Sequence, residues 1–296
     1  MEIIFLGTSS MVPTKDRNQS GILISYKDHG ILVDCGEGIQ RQMKKAGIPI
    51  TKITKILISH WHGDHVFGLP GVISTLGASE YNKTLEIYGP KGTLKHFEAM
   101  FDAFVFDRRI KMEIKEIKEG KLFENKEYFL EAYNLDHGTI SLGYNFVEKD
   151  KRRINIKKIN KLKIPEGPLI GKLQNNEAIE FKGKIVNPDD VTYIEDGKKI
   201  SIIADTAPCN NCYKLAENAD ILISEATYTS KLEQKGEEYY HMTAKQAALI
   251  ANKANVKKLY LTHLSARYKT KHEIEEDALN YFQNVEVADD FMKIKL

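Results

Sequence analysis

Short apolar runs alternate with helical patterns along the first half of the chain. The runs have the length of strands and end at glycine, proline or polar residues, which predicts strands at residues 2–6, 21–26, 30–34, 53–59, 85–88 and 128–134. Apolar periodicity predicts helices over residues 37–46 and 93–104, the first closed by Gly47 at its C′ position. Strands that alternate with helices indicate a layered α/β fold.

Regular patterns return in the last third of the chain. Strand patterns lie at residues 199–204, 221–224 and 258–262. They end at Asp205, Glu225 and His263. A helix pattern starts after Thr243, which has the spacing of a capping box with Gln246. Each candidate polar residue thus stands where a strand stops, which is where α/β folds place their chemistry.

Residues 148–187 depart from this alternation. Eight basic residues precede Gly167 and Pro168 in the sequence, namely Lys149, Lys151, Arg152, Arg153, Lys157, Lys158, Lys161 and Lys163. Little regular periodicity survives in this stretch. We therefore predict a basic, protruding, flexible arm inserted into a single domain that spans residues 1–296.

Composition and charge exclude several classes of protein. With 42% hydrophobic residues, the chain can bury a core, and 43 basic against 41 acidic residues give a net charge of only +2. Any nucleic-acid site must then be a local basic patch. The sequence shows no secretory signal pattern and no run of about 18 apolar residues, so we expect a cytoplasmic protein without a membrane anchor.

Three cysteines do not make a secreted disulfide framework. Cys209 and Cys212 have the spacing of a zinc knuckle or a redox motif. A structural zinc site needs four ligands, and no second cysteine pair or nearby histidine supplies them. We interpret Cys209 and Cys212 as ordinary thiols.

The segment Ser59-His60-Trp61-His62-Gly63-Asp64-His65 directly follows a predicted buried strand. An irregular loop can turn several of its side chains toward one point, whereas a helix would scatter them. Imidazole and carboxylate favour zinc or a similar ion, and a catalytic zinc lowers the pKa of a bound water to about 7. Isolated histidines such as His29, His96 and His272 lack this context and remain unassigned.

The cluster resembles the signature of the metallo-β-lactamase superfamily, which implies an αββα four-layer sandwich and two zinc ions per subunit. Later strand ends supply the three further ligands that this superfamily uses, namely His137, Asp205 and His263. By this resemblance, one zinc is held by His60, His62 and His137, and the other by Asp64, His65 and His263. Asp205 bridges the two ions. Such a site suits phosphodiester cleavage.

Other segments resemble the ribonuclease Z family of transfer RNA 3′-processing endonucleases. The loop Pro13-Thr14-Lys15-Asp16-Arg17-Asn18 is similar to the family's Pro-x-Lys-x-Arg-Asn loop, which implies that Lys15, Arg17 and Asn18 bind substrate. The segment from His263 to Tyr268 is similar to the family's His-x-Ser-x-Arg-Tyr.

A further match lies around Glu225. Ser224-Glu225-Ala226-Thr227 resembles the family's His-Glu-Ala-Thr loop, with Ser224 in place of the histidine. His241 matches a histidine that the family pairs with this glutamate. Such a pair keeps the imidazole protonated and able to donate to a departing 3′ oxygen.

The resemblance implies a short-form, homodimeric endoribonuclease whose basic arm, with Gly167 and Pro168, clasps precursor transfer RNA. It removes the 3′ trailer by zinc-dependent hydrolysis, with Asp64, Glu225 and His241 as catalytic groups, and leaves a 3′ hydroxyl. Three alternatives stay open: a hydrolase of small phosphodiesters or thioesters, a di-iron redox protein, and a catalytically silent RNA-binding relative. His62 counts against the second, because such relatives carry glutamate at that position, and the complete ligand set counts against the third.

Overall fold

The computed structural model describes residues 1–105 and 109–296. Its strands are β1 (Glu2–Gly7), β2 (Gly21–Tyr26), β3 (His29–Val33), β4 (Ile53–Leu57), β5 (Thr84–Gly89), β6 (Lys111–Glu116), β7 (Gly120–Glu124), β8 (Tyr128–Asp136), β9 (Ile140–Glu148), β10 (Lys151–Ile154), β11 (Ile179–Phe181), β12 (Lys184–Val186), β13 (Thr192–Glu195), β14 (Lys199–Ile203), β15 (Ile221–Glu225), β16 (Lys258–Thr262), β17 (Val285–Val287) and β18 (Lys293–Lys295). Its α-helices are α1 (Ile39–Lys45), α2 (Gly63–Val66), α3 (Leu69–Ala78), α4 (Thr93–Asp102), α5 (Ile156–Leu162), α6 (Pro168–Gln174), α7 (Pro188–Val191), α8 (Asn210–Ala216), α9 (Glu233–Glu238), α10 (Ala244–Lys253) and α11 (His272–Leu279).

The chain divides into two compact units. The larger unit comprises Met1–Phe123, Leu130–Phe146 and Lys199–Leu296, and the smaller comprises Glu124–Phe129 and Val147–Lys198. No helix among the described residues combines the length and the apolar character needed to cross a membrane.

Two seven-stranded sheets organise the fold, in the orders β18-β1-β2-β3-β4-β5-β6 and β17-β16-β15-β14-β9-β8-β7. Strands β3 to β6 run parallel to one another, as do β14 to β17. The carboxyl ends of parallel strands meet at one edge of a sheet, and ligands bind outside such edges. The loops after β4, β14, β15 and β16 therefore collect their polar residues together.

The two sheets face each other. The Tyr144 hydroxyl donates to the Ile58 carbonyl over 2.6 Å, and the rings of Phe5 and Tyr260 lie 6.0 Å apart. Apolar clusters join the first sheet to α1, α3 and α4, and the second sheet to α8, α10 and α11. The predicted αββα sandwich is confirmed.

Helix α10 shows how sequence sets an element. Thr243 and Gln246 form the predicted capping box: the Thr243 hydroxyl accepts from the Gln246 N–H over 3.2 Å, and the Gln246 side-chain oxygen accepts from the Thr243 N–H over 2.9 Å. Ala244, Ala247 and Ala251 lie on its buried face. Small side chains at this spacing let the helix pack closely on the sheet.

All predicted strands and helices are present, with ends that differ by no more than two residues. The prediction missed α3, β9 and α11, among other elements. It also underestimated regular structure between residues 148 and 187, because short elements give weak periodicity. There the smaller unit forms the pairs β10–β13 and β11–β12 and the helices α5 to α7 around its own apolar cluster, which contains Ile159, Ile164, Leu173, Ile179, Val186 and Val191.

Candidate active site

The loop after β4 is held against the loop after β3. The Cys35 N–H donates to the His65 carbonyl over 2.7 Å, and the Gly68 N–H donates to the Cys35 carbonyl over 2.9 Å. A Cβ at Gly68 would lie 2.0 Å from the Gly36 carbonyl oxygen, so this approach of two backbones requires glycine. The loop thus presents its side chains from a fixed backbone.

Ligand-type side chains from separate strand ends converge at this loop. Seven of them form two groups in which the ligand atoms lie within 4.8 Å of one another: His60, His62 and His137, and Asp64, His65, Asp205 and His263. Two overlapping groups contain His241, one with His137 and Asp205 and one with Glu225 and His263. Asp205 lies between the groups, since its Oδ2 is 3.7 Å from His137 Nε2 and 3.2 Å from His65 Nε2. The structure brings together all seven residues that the sequence analysis named as ligands.

The chemistry of this cluster fits metal ions. Asp64 Oδ1, His65 Nε2 and Asp205 Oδ1 are buried and accept or donate no hydrogen bond among the described residues. Buried polar atoms are normally paired, so His65 Nε2 and Asp205 Oδ1 call for a cation. Burial and the neighbouring His65 hold the pKa of His60 well below its usual value, which leaves a neutral imidazole suited to coordination.

The two carboxylates are held in their charged form. Burial by itself raises the pKa of a carboxyl group. For Asp205 the facing His263 and His65 outweigh burial and hold the pKa well below its usual range. The neighbouring His263 and His65 likewise outweigh burial and lower the pKa of Asp64. The site therefore offers charged oxygens beside imidazole nitrogens, a donor set typical of zinc.

Asp34 orients His65 from behind, a role that the sequence analysis missed. Its carboxylate accepts from the Ser59 N–H and the Ser59 hydroxyl, each over 2.8 Å, and lies 2.8 Å from His65 Nδ1. The Nδ1–H of His65 donates to Asp34, so Nε2 is left to face Asp205. Such carboxylate–imidazole contacts fix the tautomer and raise the basicity of a ligand.

Two further contacts orient the candidate ligands that come from distant strands. His137 Nδ1 donates to the Tyr240 carbonyl over 2.8 Å. The Thr227 hydroxyl lies 3.0 Å from His263 Nδ1 and donates to Glu225 Oε2 over 2.7 Å. In both cases Nδ1 is engaged and Nε2 points to the ligand cluster. A backbone carbonyl such as that of Tyr240 leaves no signal in a sequence.

Glu225 and His241 form the predicted pair. His241 Nδ1 donates to Glu225 Oε1 over 2.9 Å, and Glu225 is 1% exposed. Burial opposes the charge on His241, but Glu225 outweighs it and raises the pKa of His241 to about 9. The His241 ring lies 4.8 Å from the ring of His137, so the pair borders the ligand cluster.

Ser224, which replaces a histidine of the related loop, does not support the Glu225 carboxylate through its side chain. Its hydroxyl donates instead to the Glu225 backbone carbonyl over 3.0 Å. The carboxylate is held by the Thr206 N–H over 2.8 Å and by the Thr227 side chain. The Glu225–His241 pair therefore forms without the missing histidine.

The site opens into a cavity of about 420 Å³. It is lined by Ser10, Met11, Val12, His62, Asp64, His137, Asp205, Thr227, Tyr228, Tyr239, His241, His263 and Ser265. A second cavity of about 880 Å³ is lined by the segment from Pro13 to Arg17 together with Lys269 and Lys271. Both cavities have room for parts of a polymeric substrate.

The three predicted substrate-binding residues of the loop from Pro13 to Asn18 differ in their surroundings. The Lys15 side chain is 90% exposed. The Arg17 guanidinium is bound to the Thr8 hydroxyl, the Ala288 carbonyl and the Asp289 carboxylate, each over 2.6 Å. The Asn18 side chain donates to the Glu37 carbonyl over 2.8 Å. Of the three, Lys15 is therefore the most open to solvent, and its only ion pair among the described residues is a 3.8 Å contact with the exposed Asp16.

The other two predicted substrate-binding residues, Gly167 and Pro168, belong to the smaller unit. Both are exposed. Gly167 adopts a φ of 136° and Pro168 begins helix α6. A φ of this sign favours glycine, and proline suits the first turn of a helix, so the dipeptide is explained by local structure.

Comparison with known proteins places the chain in a family. The ribonuclease Z of Methanothermobacter thermautotrophicus is 39% identical over 297 residues, which covers 100% of this chain and 97% of that protein. The chain belongs to the ribonuclease Z family. Family membership confirms the resemblance seen in the sequence and the prediction of a metal-dependent hydrolase.

Solved structures of similar fold agree with this assignment. Human tRNase Z, short form, superposes with a TM-score of 0.74 at 28% identity and covers 100% of this chain and 99% of the human chain. The metallo-β-lactamase fold protein YhfI from Bacillus subtilis gives a TM-score of 0.72 at 18% identity, covering 99% and 98% of the two chains, and shows the fold. A family model described as anti-Pycsar protein Apyc1 matches residues 1–137 of this chain.

Proposed function

We propose that this chain is an endoribonuclease that removes the 3′ trailer of precursor transfer RNA. It hydrolyses the phosphodiester after the discriminator nucleotide and leaves a 3′ hydroxyl on the transfer RNA. One observation carries this proposal: His241, which is paired with the buried Glu225, lines the same cavity as five of the seven ligand-type side chains, namely His62, Asp64, His137, Asp205 and His263. Relatives named ribonuclease Z and a solved tRNase Z support the choice of substrate.

The metal ions in this proposal are two zinc ions. His60, His62 and His137 would hold one, Asp64, His65 and His263 the other, and Asp205 both. The donor set of imidazoles and carboxylates without a thiolate supports zinc, and the two groups of ligand atoms support the number. Two such ions supply a nucleophile at neutral pH and stabilise the attacking and leaving oxygens of an in-line displacement.

Asp64 and His241 move the protons. Asp64 Oδ2 faces His65 and His263 over 3.3 Å, whereas its Oδ1 has no hydrogen-bond partner among the described residues. Oδ1 is therefore placed to orient an attacking water and accept its proton. His241 donates through Nδ1 to Glu225, which leaves its Nε2–H to protonate the departing O3′ as the phosphorus–oxygen bond breaks.

Basic residues on both units would bind the RNA. In the larger unit, Lys15 is the exposed candidate for a phosphate contact, and Arg17 and Asn18 complete its loop. In the smaller unit, the exposed lysines without an ion pair among the described residues include Lys157, Lys158, Lys161 and Lys163. Together with Gly167 and Pro168 they make the proposed arm. Phosphate contacts of this kind dominate affinity for nucleic acids. A homodimer and a cytoplasmic location belong to the proposal.

The test is cleavage of a 3′-extended precursor transfer RNA, with the cut mapped to the nucleotide. We expect one cut after the discriminator and none after metal removal with a strong chelator. Activity should return when zinc is added back. A cut elsewhere, or undiminished cleavage after stringent metal removal, would contradict the proposal.

A charge variant separates RNA cleavage from a general phosphodiesterase activity. Replacing Lys157, Lys158, Lys161 and Lys163 by glutamine should raise KM for precursor transfer RNA at least tenfold and leave hydrolysis of bis(p-nitrophenyl) phosphate unchanged. The matched control replaces four exposed lysines of the larger unit, Lys83, Lys91, Lys95 and Lys118, by glutamine. If the arm variant cleaves precursor as the parent does, small phosphodiesters become the better substrate class.

A further inference from the structure

Cys209 and Cys212 lie together outside the proposed catalytic machinery. Their sulfur atoms are 3.5 Å apart, within the range of a thiol hydrogen bond. Cys212 is fully buried, and Cys209 is partly exposed. The two thiols thus differ in access to solvent although they touch each other.

Local structure holds the two sulfurs in this arrangement. Cys209 immediately precedes helix α8, and the Cys212 N–H donates to the Cys209 carbonyl over 3.1 Å. This turn brings the two side chains to the same side of the backbone. Cys212 packs among Leu135, Leu215 and Ala216 in the apolar cluster beneath the second sheet, which fixes the inner thiol.

The outer thiol is the more acidic of the two. The hydrogen bond from Cys212, against partial burial, lowers the pKa of Cys209 to about 6. The same hydrogen bond and burial raise the pKa of Cys212. A thiolate, not a thiol, is the nucleophile in disulfide exchange. Cys209 is therefore suited to attack first and Cys212 to attack second.

Metal binding does not account for the pair. No third cysteine, histidine or carboxylate among the described residues joins these two sulfurs in a ligand cluster. The third cysteine, Cys35, is fully buried, and burial raises its pKa. Cys35 therefore provides an internal control for thiol reactivity.

We propose that Cys209 and Cys212 form a redox-active dithiol, which low-molecular-weight disulfides oxidise to an intramolecular disulfide. The sulfur–sulfur distance must shorten from 3.5 Å to about 2.05 Å. A side-chain rotation at the partly exposed Cys209 would bring this about while Cys212 stays in the core. The inference is independent of the substrate of the enzyme.

The reaction runs in two exchange steps. The Cys209 thiolate attacks one sulfur of a small disulfide, a mixed disulfide forms, and one small thiolate leaves. Cys212 loses its proton to that thiolate and attacks the Cys209 sulfur, and the second small thiolate leaves and takes a proton from solvent. The two protein thiols are oxidised, and one small disulfide is reduced to two thiols.

The experiment uses the full-length, metal-loaded protein and glutathione. The protein is equilibrated in buffers of increasing ratio of oxidised to reduced glutathione, quenched with acid, alkylated under denaturing conditions and mapped by peptide mass spectrometry. We expect a Cys209–Cys212 disulfide, lighter by two hydrogens, that titrates with this ratio, while Cys35 remains alkylated throughout. A pair that stays reduced in excess oxidised glutathione, or oxidation that reaches Cys35 equally, would overturn the proposal.

Single variants test the order of attack. Cys212→Ala should trap glutathione on Cys209, whereas Cys209→Ser should leave Cys212 unmodified. Cys35→Ala is the matched control and should retain the disulfide. Glutathione on Cys212 in Cys209→Ser, with none on Cys209 in Cys212→Ala, would overturn the assigned roles. Disulfide mapping in the parent protein decides the proposal even if a variant fails to fold.

Discussion

Replacing Thr227 by valine removes one buried hydroxyl and keeps the outline of the side chain. The hydroxyl lies 3.0 Å from His263 Nδ1 and 2.7 Å from Glu225 Oε2. Glu225 keeps the Thr206 N–H at 2.8 Å, but His263, which is 4% exposed, loses the partner of its Nδ1–H. An unsatisfied buried donor costs about 1–3 kcal/mol.

This cost falls mainly on the metal-bound state. A bound ion needs a neutral His263 with its proton on Nδ1, whereas an ion-free ring can move that proton to Nε2, beside Asp64. About 1–3 kcal/mol then corresponds to roughly a 5- to 150-fold loss of metal affinity, a range that contains the 10- to 100-fold effect usual for the loss of such an orienting contact.

Competition with a chromophoric chelator measures the zinc affinity of Thr227→Val. Thr227→Ser, which keeps the hydroxyl, is the matched control and should bind zinc within about threefold of the parent, because each factor of ten requires about 1.4 kcal/mol. A general packing defect would weaken both variants, whereas loss of orientation weakens only the valine variant. Parental zinc affinity in Thr227→Val would refute the orienting role.

Further predictions concern catalysis, metal and pH. His241→Ala should lower kcat for precursor cleavage by about 10²- to 10⁴-fold with zinc content unchanged, and loss of zinc would instead make His241 a ligand. Removing zinc with a chelator should lower the free energy of unfolding by about 2.7 kcal/mol compared with protein in free zinc at 100 times Kd, and thermal melts should show a lower Tm. An unchanged Tm would contradict zinc binding at the buried Asp64. Burial would raise the pKa of Glu86, but hydrogen bonds from Lys55 and Tyr88 outweigh it, so the pKa is lower in the folded protein than in the unfolded chain. The charged Glu86 therefore stabilises the folded protein at a pH above the unfolded-state pKa, and this contribution is lost in acid. Denaturant melts of Glu86→Gln should therefore show a stability deficit at neutral pH that narrows in acid, and a constant deficit would contradict this linkage.

The elements of the fold could largely be predicted, because buried strands and capped helices leave local patterns. Residues 53–59 illustrate this: an apolar run ends at a dense group of ligand types, so element and chemistry are visible together. The candidate ligands after β14 and β16 were predictable because each stands at a strand end. Short elements of residues 148–187 were missed, since three to seven residues are too few to establish a period.

The contacts that orient the ligands could not be predicted. Asp34 lies 25 residues before Ser59, and the Tyr240 carbonyl lies 103 residues after His137. A carboxylate at the end of a strand has many possible partners, and a backbone carbonyl is present at every position. Only the tertiary fold decides which of these atoms meets an imidazole.

The partners of Arg17 also could not be predicted from the sequence, although its residue type indicates its chemistry. A guanidinium suits phosphate, and resemblance assigned it to the substrate, yet here it is bound to Thr8, Ala288 and Asp289. Its side chain is 16% exposed, against 90% for Lys15 in the same loop. One basic residue thus holds the loop in place and the other is available to a ligand. Residue type indicates the chemistry of which a side chain is capable, and competition among its neighbours determines which partner it takes.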